Sequence, residues 1–210
     1  MYSKKTSKVK GEPETRSFPA PRAIAKALDF KGGNHYYTRV NVPEKSTDEI
    51  RTQERNTTAM LPENTHLREL PGSPGCFICD NNASNPRSLR LNLLWDEEAK
   101  TICIPCEPDE SWCGFSNVVH GGLIATVLDE AMAWAVKMHA QDWAFTADYH
   151  IRYKNAVAPG ARYMATAGVT EDARRKILAQ ASFCDQDGKV LAEASATFIP
   201  SKGKARTRTA

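Results

Sequence analysis

The segment GGLIATVLDEAMAWAVKM, residues 121–138, restricts the possible folds more than any other part of the chain. Its apolar residues recur at helical spacing and cover nearly the whole circumference of a helix. Such a helix is buried on all sides, so the rest of the fold must enclose it. Two carboxylates, Asp129 and Glu130, lie in the middle of this segment, about 100° apart on the helix. Only one of them can face a given site, and Asp129 is the candidate that we favour.

Six segments with the pattern of β-strands accompany this helix. Two precede it, at residues 89–95 and 100–106, and four follow it, at 145–153, 162–170, 175–184 and 189–199. Strict alternation in residues 145–153 predicts that Tyr149 and Tyr153 face one way and Thr146 the other. Short turns join the last three segments, as in an antiparallel meander. The pattern predicts an α+β fold, with a curved antiparallel β-sheet wrapped around one long central helix.

The composition divides the chain into three parts. Residues 1–70 are polar and rich in turn residues, with two short helical candidates at residues 21–30 and 46–56. We expect the folded domain to span residues 71–200 and residues 201–210 to form a basic, flexible tail. The chain has 28 Lys and Arg against 25 Asp and Glu, and its net charge of +3 is too small to indicate a nucleic-acid partner.

The chain has no apolar run typical of a membrane span, and its N-terminus lacks the apolar stretch of a secretory signal. We therefore expect a cytoplasmic protein whose six cysteines are thiols. Two C-x-x-C pairs, Cys76 with Cys79 and Cys103 with Cys106, approach the spacing of a four-thiolate zinc ribbon. A zinc-ribbon interaction protein is therefore one alternative, although a strand over residues 100–106 would make the second pair diverge.

The two glycines at the start of the helix, Gly121 and Gly122, suggest half of an acyl-transfer site. A helix N-terminus leaves backbone N–H groups unpaired and polarises a carbonyl oxygen placed against it. Asp129 lies seven residues beyond Gly122, about 10 Å along the axis, so one chain cannot easily bring both groups to one carbonyl. Two such helices, antiparallel in a dimer, would let the carboxylate activate water or act as nucleophile. The structural alternative is a tight turn followed by a paired, buried aspartate.

The motif HGGLIATVLDEA, residues 120–131, resembles that of the hotdog-fold acyl-CoA thioesterases, especially their phenylacetate-degradation and human thioesterase-superfamily branch. The resemblance covers residues 76–199. It implies a homodimer or a dimer of dimers that hydrolyses an acyl-CoA thioester to a free acid and CoA, without a metal or a bound cofactor. By the same resemblance, the Gly122 N–H polarises the thioester carbonyl, Asp129 of the partner subunit is general base or nucleophile, and His120 shapes the glycine turn.

The resemblance also implies further site residues. Thr146 occupies the position of a hydroxyl residue that orients the attacking water. Some relatives have Asn or Gln six residues before the histidine, where this chain has Gly114, with Asn117 closer to the histidine. Asn117 is therefore a candidate for substrate binding, as is Gly121 at the start of the helix. The phosphates of CoA need cations, for which the candidates are Arg152, Lys154, Arg174 and Arg175.

Two questions stay open at the level of sequence. One is whether four large apolar residues line an acyl pocket or pack in the core, namely Met132, Trp134, Met138 and Trp143. The other is whether the domain turns over its ligand, since a noncatalytic hotdog protein would bind acyl-CoA or serve in assembly with the same motif. A dehydratase of the same fold is disfavoured, because HGGLIATVLD lacks its usual His and Asp/Glu pattern.

Overall fold

The computed structural model describes residues 66–173 and 175–201. The predicted N-terminal extension up to residue 65, with both helical candidates, and the tail from residue 202 lie outside the described residues. The elements, in chain order, are β1 (Leu67–Leu70), β2 (Leu93–Asp96), β3 (Thr101–Cys106), a 3₁₀ turn (Glu110–Trp112), β4 (Cys113–Phe115), β5 (Val118–Val119), α1 (Gly121–Ala140), β6 (Ala144–Tyr153), β7 (Tyr163–Ala173), β8 (Lys176–Asp185) and β9 (Val190–Pro200).

Seven strands form one antiparallel sheet in the order β1-β2-β3-β7-β8-β9-β6, and β4 and β5 form a separate two-stranded ribbon. The predicted meander β7-β8-β9 lies within this sheet. The helix α1 packs against β3, β6, β7, β8 and β9. The predicted α+β arrangement, with a large antiparallel sheet around one long helix, is confirmed.

The main core lies between α1 and the sheet. Leu128 and Met132 from the helix are fully buried there, together with Phe183 and Phe198 from the sheet. Trp134 is also buried, and Met138 packs partly against the same core. Of the four residues that were candidates for an acyl pocket, Trp143 is the most exposed, at 41%. Met132, Trp134 and Met138 therefore pack in or against the core of the single chain.

The sheet does not enclose α1 on every side. A stripe of residues three or four positions apart stays exposed or partly exposed: Gly122, Thr126, Asp129 and Ala133. The prediction of a helix buried on all sides is therefore wrong for the single chain, because a single sheet covers only one side of a helix. Within the described ranges, no helix has the length and apolar character needed to cross a membrane.

The sheet begins earlier in the chain than the predicted domain boundary at residue 71. β1 lies before that boundary, and its four residues pair with β2. The sequence of β1, LREL, is too short to establish an alternation, and two of its four residues are charged. The ribbon of β4 and β5 escaped prediction for the same reason, since its strands contain three and two residues.

A β-bulge in β6 changes which side chains face the helix. The register of β6 against β9 shifts between Thr146 and Asp148, so that Ala147 is an extra residue. Strict alternation places Thr146 on the opposite face from Tyr149 and Tyr153, and this prediction is wrong because the bulge inverts the alternation. All three hydroxyl groups donate hydrogen bonds to α1, to a side-chain oxygen of Asp129 and to the carbonyl oxygens of Ala125 and Gly121, respectively.

Candidate active site

The N-terminal end of α1 is capped by His120. The Nδ1 atom of its imidazole accepts a hydrogen bond from the Gly122 N–H at 2.9 Å. The other side of the ring lies against Gly114, where a Cβ atom would be 2.8 Å from Cδ2 of His120. Gly114 thus leaves the space that the imidazole occupies, and a larger side chain at this position would move the ring. His120 holds the glycine turn through both contacts.

The first two N–H groups of α1 differ in their partners. The Gly122 N–H, the predicted donor to the thioester carbonyl, is engaged by His120. A carbonyl oxygen would therefore share this N–H with the imidazole or displace the ring. The Gly121 N–H makes no hydrogen bond to any part of the chain that the structure describes. An oxygen placed at this end would meet the Gly121 N–H directly.

A pocket of about 540 Å³ opens at this end of the helix. Its wall combines the glycine turn, the β4–β5 ribbon and the residues that follow β6: Gly114, Phe115, Val118, Val119, His120, Gly121, Gly122, Ile124, Tyr153, Lys154, Asn155, Ala156 and Val157. Lys154 brings a positive charge to the rim and forms an ion pair with Glu193. Asn117 is exposed in a left-handed turn with φ of 58° and is not part of the wall.

Asp129 lies two turns further along α1, outside the wall of this pocket. Its carboxylate is half-buried and accepts a hydrogen bond from Thr146 Oγ1 at 3.0 Å. Burial raises the pKa of Asp129 and the nearby charge of Glu130 adds to this effect, whereas the hydrogen bond from Thr146 opposes it. A carboxylate with a raised pKa binds protons more strongly and is a better general base once ionised.

Glu130 faces a different group of residues from Asp129. Its Oε1 atom accepts hydrogen bonds from Cys79 Sγ at 2.8 Å, from Cys76 Sγ at 3.5 Å and from Trp134 Nε1 at 3.0 Å. Burial and the adjacent Glu130 together raise the pKa of the Cys79 thiol. These contacts join the loop before β2 to the middle of α1. The carboxylate of Glu130, for which the sequence suggests no role, therefore has three hydrogen-bond donors.

Sequence reasoning missed this group, which we call the Cys76–Cys79–Glu130 cluster. The cysteines precede the glutamate by 54 and 51 residues, and no local pattern indicates that they meet. One signal was present, because Glu130 and Trp134 are four residues apart and so lie on the same side of a helix. The hydroxyl groups of Tyr149 and Tyr153 also contact α1. Strand alternation places these two residues on one face, but it does not show that their hydroxyl groups reach backbone carbonyl oxygens of the helix.

The predicted cations separate into two sets. Arg152 and Lys154 lie at the C-terminal end of β6, where Lys154 lines the pocket beside the glycine turn and Arg152 is exposed outside the pocket wall. Arg175 lies in the turn between β7 and β8, at the opposite end of the sheet, since the neighbouring Ile177 pairs with Phe198 near the start of β6. Arg174 falls outside the described residues. Of these candidates, one chain therefore brings only Lys154 to the pocket in the described ranges.

The four thiols of the predicted zinc-ribbon alternative do not converge. Cys103 is fully buried in a small cluster with Leu94 and Met164, whereas Cys106 belongs to the main core. Burial raises the pKa of each of these two thiols to about 12. Neither of them joins Cys76 and Cys79 in the described part of the chain. The four-thiolate ribbon is therefore wrong, for the reason that β-strand alternation predicts.

Comparison with known proteins agrees with this architecture. Residues 116–192 match the family model described as the thioesterase superfamily. A crystal structure of a thioesterase superfamily protein aligns with a TM-score of 0.56 and 16% identity, covering 76% of this chain and 81% of that one. The fold is the hotdog fold of this superfamily. The resemblance to hotdog thioesterases that the helix motif indicates is confirmed.

Two further proteins are similar to shorter parts of the chain. The PaaI protein of Escherichia coli, from the phenylacetic acid degradation operon, aligns with a TM-score of 0.47 and 17% identity, over 50% of this chain and 75% of its own. An uncharacterised protein of Schizosaccharomyces pombe is 42% identical over 41 residues, which make up 20% of this chain. The aligned part spans 23% of that curated relative, so the likeness is restricted to a short segment.

Proposed function

We propose that the protein is an acyl-CoA thioesterase that hydrolyses a thioester to a free acid and CoA as a homodimer. The observation that carries the proposal is the half-buried Asp129, hydrogen-bonded by Thr146 on the partly exposed stripe of α1, in a helix that begins with His120 and two glycines. The match of residues 116–192 to the thioesterase superfamily supports the reaction class. A cytoplasmic location stays a prediction from sequence.

The edge of the sheet supports the homodimer. β6 is the last strand, with β9 on one side and no further strand in the described sheet on the other. It exposes large apolar side chains, with Phe145 at 70% and Tyr153 at 48%. An exposed edge of this kind is a ready template for pairing with another strand. A second copy of the chain, related by a twofold axis, would cover this edge and the half-exposed stripe of α1.

The contacts of β6 with α1 support a twofold axis near the middle of both elements. On α1, the point halfway between Gly122 and Asp129 lies between residues 125 and 126. The middle of β6 lies between residues 148 and 149. These two points lie at the same level, because Tyr149 donates a hydrogen bond to the carbonyl oxygen of Ala125. Antiparallel pairing of β6 about its own centre would therefore place Gly122 level with Asp129 of the partner subunit. A dimer of such dimers is compatible with this pairing.

In the proposed reaction, the thioester carbonyl oxygen lies at the glycine turn, where the N–H groups of Gly121 and Gly122 stabilise the negative charge that develops on it. Asp129 of the partner subunit, oriented by the hydrogen bond from Thr146, removes a proton from water as the new C–O bond forms. The C–S bond then breaks, and the proton passes to the sulfur of the departing CoA. Direct attack by the carboxylate, followed by hydrolysis of the anhydride, is the nucleophilic version of the same chemistry.

The cations have a proposed role in holding CoA. Lys154, next to the glycine turn, and Arg152, near the end of β6, would contact its phosphate groups, with Asn117 as a polar neighbour. Arg175, at the opposite end of the sheet, would reach the same site only from the partner subunit, and a contact of Arg174 with CoA stays a prediction from sequence. The core positions of Met132 and Trp134 favour an acyl group bound at the subunit interface rather than inside one chain.

The direct test is the release of free thiol from short, long and aromatic acyl-CoAs by the purified full-length chain. We expect turnover above the rate without protein for at least one of these classes. Tight CoA binding without any thiol release would instead indicate the noncatalytic acyl-CoA-binding protein. Absence of both binding and turnover would contradict the proposal altogether.

The pH dependence of kcat/KM should report Asp129. Because the base must be ionised and burial raises its pKa, activity should rise with pH through a pKa above the ordinary aspartate value of 3.8. Thr146→Val removes the hydrogen bond that lowers this pKa, so the rising limb should move to higher pH. Thr170→Val, at a threonine that donates only to the Leu178 carbonyl oxygen, is the control and should leave the limb in place. An unmoved limb in Thr146→Val would separate Asp129 from the ionisation that controls the rate.

A further inference from the structure

The Cys76–Cys79–Glu130 cluster is the one group of possible metal ligands that the structure assembles in the described ranges. The two sulfur atoms and a carboxylate oxygen of Glu130 all lie within 4.8 Å of one another. In a tetrahedral zinc site with bonds of about 2.3 Å to sulfur and about 2.0 Å to oxygen, the ligand atoms are roughly 3.5 to 3.8 Å apart. The observed contacts of 2.8 and 3.5 Å to Glu130 need only a small outward movement to reach this spacing.

Backbone donors point at both sulfur atoms. The Ile78 N–H donates to Cys76 Sγ at 3.3 Å, and the Ser73 N–H donates to Cys79 Sγ at 3.3 Å. These two N–H groups hold the sulfur atoms in position. The loop that carries the cysteines is thus already folded around their sulfur atoms.

The remaining surroundings fit a cation with three anionic ligands. Trp134 Nε1 donates to Glu130 Oε1 at 3.0 Å, and an outer hydrogen bond of this type orients a metal-bound carboxylate. Two thiolates and one carboxylate exceed the charge of a divalent ion by one. Lys137 supplies an opposing positive charge near the cluster, since it interacts electrostatically with Cys79. Its ammonium lies 4.0 Å from the ring centroids of both Trp134 and Trp143.

We propose that Cys76, Cys79 and Glu130 bind one zinc ion, which fastens the loop before β2 to the middle of α1. Two sulfur ligands and one oxygen ligand in a compact group suit Zn²⁺, with a water molecule as the fourth ligand. When one ion binds, the two thiol protons pass to solvent. Neither the zinc nor the sulfur atoms change oxidation state. This site is separate from the proposed thioesterase chemistry, and it revises the expectation that the protein holds no metal.

The test measures zinc in the full-length chain purified without chelator and then dialysed against buffer. We expect about one zinc per chain, and a loss of at least about tenfold in retained zinc for Cys79→Ser and for Glu130→Gln. Cys103→Ser is the matched control, since Cys103 and Cys79 are both 0% exposed, and it should retain zinc. A chain that neither retains zinc nor takes it up, or that keeps it equally in Cys79→Ser, would overturn the proposal.

A second measurement uses the unmodified chain, in case a variant does not fold. Removal of zinc should speed the alkylation of Cys76, measured by peptide mass spectrometry, and addition of Zn²⁺ should slow it again. Cys113 is the internal control, because it is also half-buried and lies outside the cluster. Alkylation of Cys76 that does not respond to zinc would contradict the proposal, whatever the activity of the protein toward thioesters.

Discussion

Asp129→Asn is expected to lower kcat for acyl-CoA hydrolysis by about 10²- to 10⁴-fold, the range typical for loss of a general base. Asparagine keeps the size of the side chain and can still accept the hydrogen bond from Thr146, but it neither accepts a proton nor attacks a thioester. The folded state should not suffer, because burial already disfavours the charge of Asp129. We therefore expect an unchanged or higher Tm, an unchanged dimer and retained CoA binding.

The control for this variant is Asp187→Asn, the same substitution at an exposed position between β8 and β9. It should leave kcat, KM and Tm close to those of the unmodified chain. If Asp129→Asn retained full turnover, Asp129 would have no catalytic role and the carboxylate would be only a partner of Thr146. If it lost turnover together with the dimer and CoA binding, the loss would be structural rather than catalytic.

Gly72→Ala is expected to have the largest effect on stability. Gly72 has φ of +70°, and a Cβ atom there would lie 2.0 Å from the backbone carbonyl oxygen of Cys79. The left-handed conformation costs alanine about 1–2 kcal/mol. The contact adds roughly 1–3 kcal/mol, because two backbone segments must separate to relieve it. We expect a loss of about 2–5 kcal/mol in the free energy of unfolding, measured by urea denaturation.

Gly75→Ala isolates the contact from the backbone conformation. Gly75 lies three residues later in the same loop with φ of +79°, and nothing lies within 4 Å of a Cβ atom at this position. Its variant should therefore lose only the conformational part, about 1–2 kcal/mol. Equal losses for the two variants would show that the close approach of Gly72 to Cys79 does not hold in solution.

The helix and the sheet around it were predictable because their patterns are long. Nearly continuous apolar residues at helical spacing locate α1, and the predicted start at residue 121 agrees with the observed one. The later strands contain ten or eleven residues each, enough for alternation to show. The short β1 and the β4–β5 ribbon carry no comparable pattern, so their pairing depends on the rest of the sheet.

The candidate site was only partly predictable from the sequence. The motif at residues 120–131 indicates where a carbonyl and a carboxylate would act, because both lie on one helix. The partners of those groups come from distant segments and depend on details of packing. Thr146 reaches Asp129 only because one extra residue bulges from β6, and Glu130 meets two thiols more than 50 residues earlier in the chain.

The account depends most on a site shared between two subunits, and mixed dimers test this directly. Gly122→Pro removes the proposed donor, at a helix position whose N–H has no partner within the helix. Alone, it should lower kcat by about 10²- to 10³-fold, the range typical for loss of one oxyanion donor, and Asp129→Asn should show the loss given above. Co-expression of the two variants with different affinity tags, followed by purification through both tags, gives dimers that contain one chain of each kind.

Thiol release by these mixed dimers is the decisive measurement. If each site takes Gly122 from one subunit and Asp129 from the other, one of the two sites is intact, and we expect about half of the unmodified activity per dimer. If both groups act within one chain, every site in the mixed dimer carries a defect. Mixed dimers as inactive as the two parent variants would therefore contradict the shared site.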